Sequence, residues 1–524
     1  MKVQISQRIN WVNKFLSVAE MVAIENEADQ LGLSFSQLME NAGKSLADVI
    51  SRNFKDIEKK DILALVGKGN NGGDALVALR VLSERGWSTT AYLVDRKVEG
   101  DSIADQYVSS GGNLLNNLDD PKLEKLEALV TENKLIIDGL LGTGGKLPLR
   151  APYKEVLVKI KRNLTEENAP LIIAVDCPSG ADCVSGDVAK ETIPANLTVC
   201  MAAVKSGMFK FPAFETLGKL DVVSIGLNED QPLWKGISRF VADKDFVESK
   251  LPIRKMNSHK GTFGTAMVVA GSLKYTGAAL LAGKSAFRSG AGLVSMAVIE
   301  PLHSTLSGHF PEAVWHLLPH KNGVIDSAGS EIISNNLEKI SSILIGPGLG
   351  LENATKEFLV SILSQPISNL VLDADGLKLL AKIPEWEKIL PEETIITPHP
   401  GEMSVLTGLP INKIQEERVA IAEKYAIKWN SVIVLKGAIT VVASPNGKTI
   451  LIPIANSALA HAGTGDVLAG LIVGLLAQGM NAFDAAVVGA WVHGQAGKSA
   501  KNNIGSSAGV LAGDLIKEIP KYLN

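Results

Sequence analysis

The sequence predicts an α/β protein with two parallel-sheet domains, and three observations carry that expectation. Apolar runs of strand length alternate with helical patterns along most of the chain. The alternation makes two passes whose glycine-rich turns differ. Between the passes lies a polar, irregular stretch, "NEDQPLWKG" (228–236), of linker character. At 524 residues the chain exceeds one ordinary hydrophobic core. The expected domains are 1–228 and 237–524.

The first pass opens with a helical pattern at 23–50 and continues through strands at 62–66, 90–94, 134–138 and 171–176, ending near "KLDVVSIGL" (219–227). The second begins around "SRFVADKDF" and runs through "TAMVVAGS", "SILIGPGLG", "LVLDADGL", "TIITPHPGE" and "SVIVLKGAITVVAS" to glycine- and alanine-rich helices after 463. A net charge of −4 argues against a mainly phosphate-driven nucleic-acid binder. The amino-terminal residues show no apolar signal core, and the most lipid-like run, "VLAGLIVGLLAQGM" (467–480), is shorter than a bilayer requires. The expectation is a cytoplasmic protein with neither nucleic-acid nor membrane partners. Three cysteines without C-x-x-C spacing read as reduced, buried thiols. His303, His309, His316 and His320 with Glu312 invite a metal reading, but Pro311 and Pro319 interrupt any single helix that could present them.

In open α/β sheets ligands bind at the carboxyl ends of strands, so the polar residues after each apolar run are the candidates. In the first half Gly67, Gly69 and Gly72 fit G-x-G-x-x-G, and Asp95 ends the next strand, a dinucleotide-binding spacing. Asn70, Asn71 and Asp74 do not suit it, since Asp74 sets negative charge beside a would-be phosphate. Two readings stay open. The turn holds a polar ligand or a cation through oxygens, or Asn-Asn-Gly-Gly merely turns the chain while Asp74 caps the helix. Asp138 and Asp176 both end apolar runs and should reach the same rim; Asp176, with Pro178 fixing the turn after it, suits proton transfer. In the second half "HAGTGD" (461–466) opens a long apolar helix. Gly463 and Gly465 expose amides to an anion there, and Asp466 in the first turn suits accepting a proton from a hydroxyl, or simply capping the helix. "GAALLAGKS" and "GQAGKS" end like phosphate-binding loops but lack the spacing from the first glycine.

"MENAG" (39–43), "GNNGGDALVALRVL", "DGLLGTGGKLP" and "VDCPSG" resemble the NAD(P)H-hydrate epimerase domain, which implies a Rossmann-like fold over about the first 225 residues. The resemblance implies a substrate, NADHX or NADPHX, hydrated at C6 of the nicotinamide ring, whose R and S epimers are interconverted. By that likeness Asp176 is the catalytic acid/base. Asn71, Asp138 and Ser179 match a potassium site. Asn70, Asn71, Gly72, Gly73 and Asp74, then Gly142, Thr143, Gly144, Gly145, Lys146, Leu147 and Pro148, with Tyr153, match ligand-binding positions.

The second half is similar to the NAD(P)H-hydrate dehydratase family, of ribokinase-like fold, through "HKGTFG", "YTGAALLAGKSAFRSGAGLV", "GPGLG", "LDADGL", "TPHPGE", "KGAIT" and "GTGDVLAG", in the expected order. That likeness implies nucleotide-driven loss of water from the S epimer, restoring NADH or NADPH, with ADP as co-substrate giving AMP and phosphate, and Mg2+ as cofactor. Asp466 would activate the C6 hydroxyl for phosphorylation. Ala278, Gly348 and His399 match substrate positions. Lys436, Gly437, Ala438, Ile439 and Thr440, with Asn456, Gly463 and Gly465, match the nucleotide site. The loop "ANSALAHAGTGD" departs from the family pattern, with Ala455, Ala458 and Ala462 replacing glycines and His461 a threonine. Cβ atoms there obstruct positive φ or close backbone approach. The resulting expectation is a homo-oligomeric bifunctional repair enzyme. The alternative is a ribokinase-fold small-molecule kinase with a regulatory or scaffold N-terminal domain.

Overall fold

The computed structural model describes residues 13–164 and 169–523. The chain forms two compact units, one spanning Asn13–Ser238 and the other beginning at Arg239.

The first unit carries a sheet of β1 (Asp61–Val66), β2 (Ser88–Leu93), β3 (Asn113–Asn116), β4 (Leu135–Gly139), β5 (Leu171–Val175), β6 (Leu197–Met201) and β7 (Lys219–Val223). Their order is β3-β2-β1-β4-β5-β6-β7, every pair parallel. In β1, Ile62, Ala64 and Val66 join one hydrophobic cluster while Leu63 and Leu65 join the other. A strand with both faces covered needs apolar side chains at every position, which is why this run lacks polar alternation. Strand order reverses between β1 and β4, opening a crevice at their carboxyl ends.

Helix α1 (Phe35–Asn53) closes on helix α2 (Asn70–Glu84), and small residues permit it. A Cβ on Gly43 would lie 2.4 Å from Val77 Cβ, and one on Gly73 would lie 2.4 Å from Met39 Sδ. The "MENAG" motif thus seats α1 against the first turn of α2, at the crevice. The stretch 228–236 packs onto this unit. It forms a short helix, Pro232–Gly236, and buries Trp234, over whose ring Lys14 Nζ sits at 4.4 Å.

The second unit carries β8 (Arg239–Val241), β9 (Thr265–Val269), β10 (Leu293–Ile299), β11 (Val314–Leu318), β12 (Ser342–Ile345), β13 (Leu370–Leu372), β14 (Ile395–Ile396), β15 (Val432–Leu435), β16 (Thr440–Ala443) and β17 (Thr449–Ile452). The order is β8-β17-β16-β15-β14-β13-β12-β9-β10-β11. Pairing is parallel except for the antiparallel β15-β16 and β16-β17 neighbours.

The apolar run from 467 lies in helix α4 (Thr464–Ala477), which packs on helix α3 (Thr276–Arg288). Cβ atoms on Gly470 and Gly474 would fall 2.1 Å from Ala282 O and 1.9 Å from Ser289 Oγ, so both glycines are needed for this close contact. Ser285 Oγ donates to Val467 O at 2.6 Å, fixing the register of the two helices. Among the described residues no helix is long and apolar enough to cross a membrane.

Candidate active sites

The first site lies at the crevice beyond β1, β4 and β5. Gly67 must be bare, since a Cβ would meet Leu140 O at 1.9 Å, and Gly72 likewise faces Gly67 O at 2.0 Å. Helix α2 begins at Asn70 behind Gly69, whose N-cap position offers no side chain; Asp74 lies in the helix, buried, and does not cap it. Arg96 braces this turn, donating from Nη1 to Gly67 O at 3.1 Å while Nε bonds Asp101 at 2.6 Å. Asp95 is engaged by Lys68 Nζ at 2.7 Å and Tyr153 Oη at 3.4 Å, both meeting Oδ2. Of the loop 142–148, Gly142 presses on Asn71, where a Cβ would lie 2.2 Å from Oδ1, whereas Gly144 and Lys146 are exposed.

The structure joins Asp138 and Ser179 directly. Ser179 donates from Oγ to Oδ1 at 2.5 Å and from its amide to Oδ2 at 2.8 Å. Asn71 Nδ2 donates to Val175 O at 2.5 Å, bringing its carboxamide to the same rim. Burial pushes the Asp138 carboxyl above its ordinary value, only partly offset by its Ser179 bonds. No lysine or arginine pairs with it among the described residues.

Asp176 follows β5 with φ +65°, a left-handed conformation uncommon outside glycine. Its Oδ1 accepts from Lys205 Nζ and from the Met201 amide at 3.0 Å. Oδ2 has no donor among the described residues. Lys205 is 2% exposed and also donates to Met201 O at 3.1 Å and Ala203 O at 3.2 Å. Burial opposes its charge, yet Asp176 and the neighbouring Cys200 hold its ammonium above the usual value. Burial first, then the negative fields of Asp176 and Glu25, push Asp74 well above the carboxylate range, against the pull of Lys205. A carboxyl whose ionisation burial opposes thus stands near one held by a lysine, a division that suits acid and base roles in one site. Lys205 and Glu25 lie outside every glycine-rich motif, and only the fold brings them here. The three cysteines are free and buried.

The second site lies beyond β9, β12, β13, β14 and β15. Gly348 (φ +64°) abuts α3, where a Cβ would meet Tyr275 Cβ at 2.7 Å and Ala278 Cβ at 3.0 Å. Gly346 similarly backs onto Asp373 O at 1.8 Å. Asp373, after β13, accepts from Thr397 Oγ1 and from Lys436 Nζ, each at 2.7 Å. Lys436 also stands 3.7 Å from Glu402. Burial works against its charge, but Asp373 and Glu402 raise its pKa. Glu402 resists its own burial because His399 and Lys436 hold it down to about 2. His399 Nδ1 accepts from the Gly401 amide at 3.0 Å, leaving the ring's proton on Nε2, 3.2 Å from Glu402 Oε1.

Asp466 occupies the first turn of α4, behind Gly463 at φ +86°. Burial, then repulsion from Asp373, push its carboxyl up to about 7, with Lys436 pulling the other way. A group that exchanges its proton near neutrality is what a general base requires. Buried His493, lowered to about 4 chiefly by burial, donates from Nε2 to Thr464 O at 2.8 Å and so pins the start of α4. None of Ala455, Ala458 and Ala462 has positive φ; Gly463 takes that conformation instead, so the alanines cause no backbone strain. His461 Nδ1 lies 3.2 Å from Ala458 O, and Asn456 Oδ1 accepts from the Ala458 amide at 3.0 Å. Gly437, Ala438 and Ile439 form the loop between β15 and Thr440. Among the described residues no group of histidines, cysteines and carboxylates forms a metal cluster, the 303–320 histidines included.

Residues 36–207 match the family model described as YjeF-related protein N-terminus, and residues 266–521 match that of NAD(P)H-hydrate dehydratase. A bifunctional NAD(P)H-hydrate repair enzyme of Moorella thermoacetica is 35% identical over 93% of this chain and 92% of its own length. The protein of the same description from Coxiella burnetii is 32% identical over 98% of this chain and 99% of its own. Among solved structures, the ADP/ATP-dependent NAD(P)H-hydrate dehydratase of Bacillus subtilis is 34% identical. It covers 54% of this chain and 96% of its own, with a TM-score of 0.47.

Proposed function

Because this chain belongs to the family of bifunctional NAD(P)H-hydrate repair enzymes, we propose that each of its two sites carries one of the two repair reactions. The N-terminal domain interconverts the R and S epimers of NADHX or NADPHX. The C-terminal domain dehydrates the S epimer to NADH or NADPH at the expense of a nucleotide, ADP giving AMP and phosphate, with Mg2+ accompanying the nucleotide.

In the first site Asp176 moves the proton at the epimerising centre through its free Oδ2. Lys205 keeps Oδ1 occupied, and Asp74, whose burial favours the protonated form, is placed to act as a donor. Residues 70–74 and 142–148, with Tyr153, line the substrate. Potassium fits beside Asp138. That carboxylate is buried without a cationic side chain, and Ser179 and Asn71 add neutral oxygens, a donor set for a hard ion of low charge. When bound, the ion supplies the missing positive charge.

In the second site the single observation that carries the reading is Asp466, titrating near neutrality at the start of a helix. It accepts the proton of the C6 hydroxyl as that oxygen bonds to the terminal phosphorus of the nucleotide and AMP leaves. The resulting phosphate ester then departs as phosphate, with loss of a ring proton, to restore the double bond. Ala278, Gly348 and His399 border the hydrated ring. Lys436–Thr440, Asn456, Gly463 and Gly465 hold the nucleotide, the α4 amides and dipole favouring its phosphates. Three buried, free thiols support a reducing compartment, the cytoplasm.

The test is to incubate the full chain with mixed R/S NADHX, ADP, magnesium and potassium. Absorbance characteristic of NADH should grow until both epimers are consumed. No growth with either ADP or ATP would refute the proposal, and a stable phosphorylated product would point to a kinase instead.

A further inference from the structure

Arg418 begins the helix Arg418–Trp429, where a positive charge opposes the helix dipole, and no carboxylate pairs with it among the described residues. Its guanidinium faces carbonyls instead. Nη2 donates to Leu435 O at 2.9 Å, Lys436 O at 3.1 Å and Ile439 O at 3.1 Å, and Nη1 donates to Gln415 Oε1 at 2.7 Å. Burial alone lowers its pKa to about 10, as expected of a cation without an anionic neighbour. Gly437 lies flat against it, since a Cβ there would stand 2.5 Å from Nη2.

A trans peptide unit points its N–H opposite to its C=O. Turning the Lys436 carbonyl toward Arg418 therefore turns the Gly437 amide away from it. Among the described residues the Gly437, Ala438 and Ile439 amides have no protein acceptor. Neighbouring Lys436 is spoken for twice, its amide by Pro398 O at 2.9 Å and its ammonium by Asp373.

We propose that Arg418 is the positioning residue of the 436–440 loop: it gathers the loop's carbonyls on one side, so that the amides on the other are free to receive a nucleoside diphosphate. This rests on the nucleotide reading of that loop given above. The arrangement favours ADP in two ways, by fixing donors that would otherwise need ordering and by setting an unneutralised positive charge behind them. Asp466, at the start of α4, lies outside the group of atoms that Arg418 holds.

The test uses the full chain and the Arg418→Met and Arg418→Lys variants, reading ADP affinity by calorimetry and kcat and KM for dehydration of the S epimer. Arg418→Met should raise the Kd and KM for ADP by about 10-fold or more, equivalent to about 1.4 kcal/mol. The KM for the S epimer and kcat at saturating ADP should move less than about 3-fold. Methylguanidinium should restore part of the ADP affinity of Arg418→Met. Arg418→Lys, which lacks the planar fork, should fall between that variant and the wild type. Arg418→Lys keeps the charge in place and provides the second route should Arg418→Met fold poorly. Loss of kcat with unchanged ADP affinity, or equal loss toward ADP and the S epimer, would overturn the inference while leaving the nucleotide reading intact. A wild-type protein that binds no ADP would instead remove the nucleotide reading, and this inference with it.

Discussion

Asp466→Asn separates a catalytic carboxylate from a structural one, because the role proposed for Asp466 and its burial predict opposite effects on rate and on stability. In the folded chain the carboxyl moves from an ordinary 3.8 to about 7, with burial the largest cause. An acid raised in this way favours folding only while it holds its proton. Below pH 3.8 folded and unfolded chains are both protonated. Between 3.8 and about 7 stability falls as pH rises, and above 7 the full penalty remains. At about 1.36 kcal/mol for each pKa decade, the penalty at pH 8 is about 4 kcal/mol. Asparagine has nearly the same shape and no charge to bury, so the variant should melt higher than the wild type at pH 8, by several degrees. That advantage should shrink steadily toward pH 4. Turnover of the S epimer should fall by ~10²–10⁴-fold, the usual contribution of a positioned base. ADP binding should hold or tighten slightly, since the α4 amides remain and one negative charge is gone. The assays are thermal melts from pH 4 to 8, ADP calorimetry and steady-state dehydration on the same preparations. Unchanged turnover would reduce Asp466 to a helix-start residue, and a melting advantage independent of pH would contradict the raised pKa.

Asp176→Asn should abolish epimerisation and spare dehydration, so that the S epimer is consumed and R persists apart from spontaneous exchange; R consumed at the wild-type rate would remove Asp176 from the mechanism. Lys205→Met leaves the buried Asp176 carboxylate without its cation and should cost about 3–5 kcal/mol in denaturant unfolding of the N-terminal domain. A loss under 1 kcal/mol would show that the pair contributes little. Replacing potassium by a large organic cation, or making Asp138→Ala, should weaken substrate capture by the epimerase in a titration with R-NADHX, and indifference to both changes would leave the cation site unsupported.

Much of the geometry of both candidate sites is legible because backbone demands write themselves into sequence. Gly67, Gly72, Gly142, Gly346 and Gly348 sit where a Cβ would strike backbone or a site residue, so these motifs report close approach wherever the chain makes it. Strand ends were legible for the same reason: apolar runs in doubly covered strands stop where polar residues reach the rim, as at Asp138 and Asp176. The two-pass alternation, Asp466 at the start of α4 and the candidate loops followed from local pattern alone. The fold decided what local pattern cannot encode. Whether Asp74 caps its helix or is buried beside Asp176, that Lys205 comes from 29 residues away to hold that carboxylate, and that Arg418 reaches the carbonyls of the 435–439 segment all depend on which side chains meet across the sheet. So do the proton affinities. The shift of Asp466 to about 7 needs burial together with Asp373, Lys436, Asp375 and Glu402, all distant in sequence, because desolvation and Coulomb fields depend on distance in space and not along the chain.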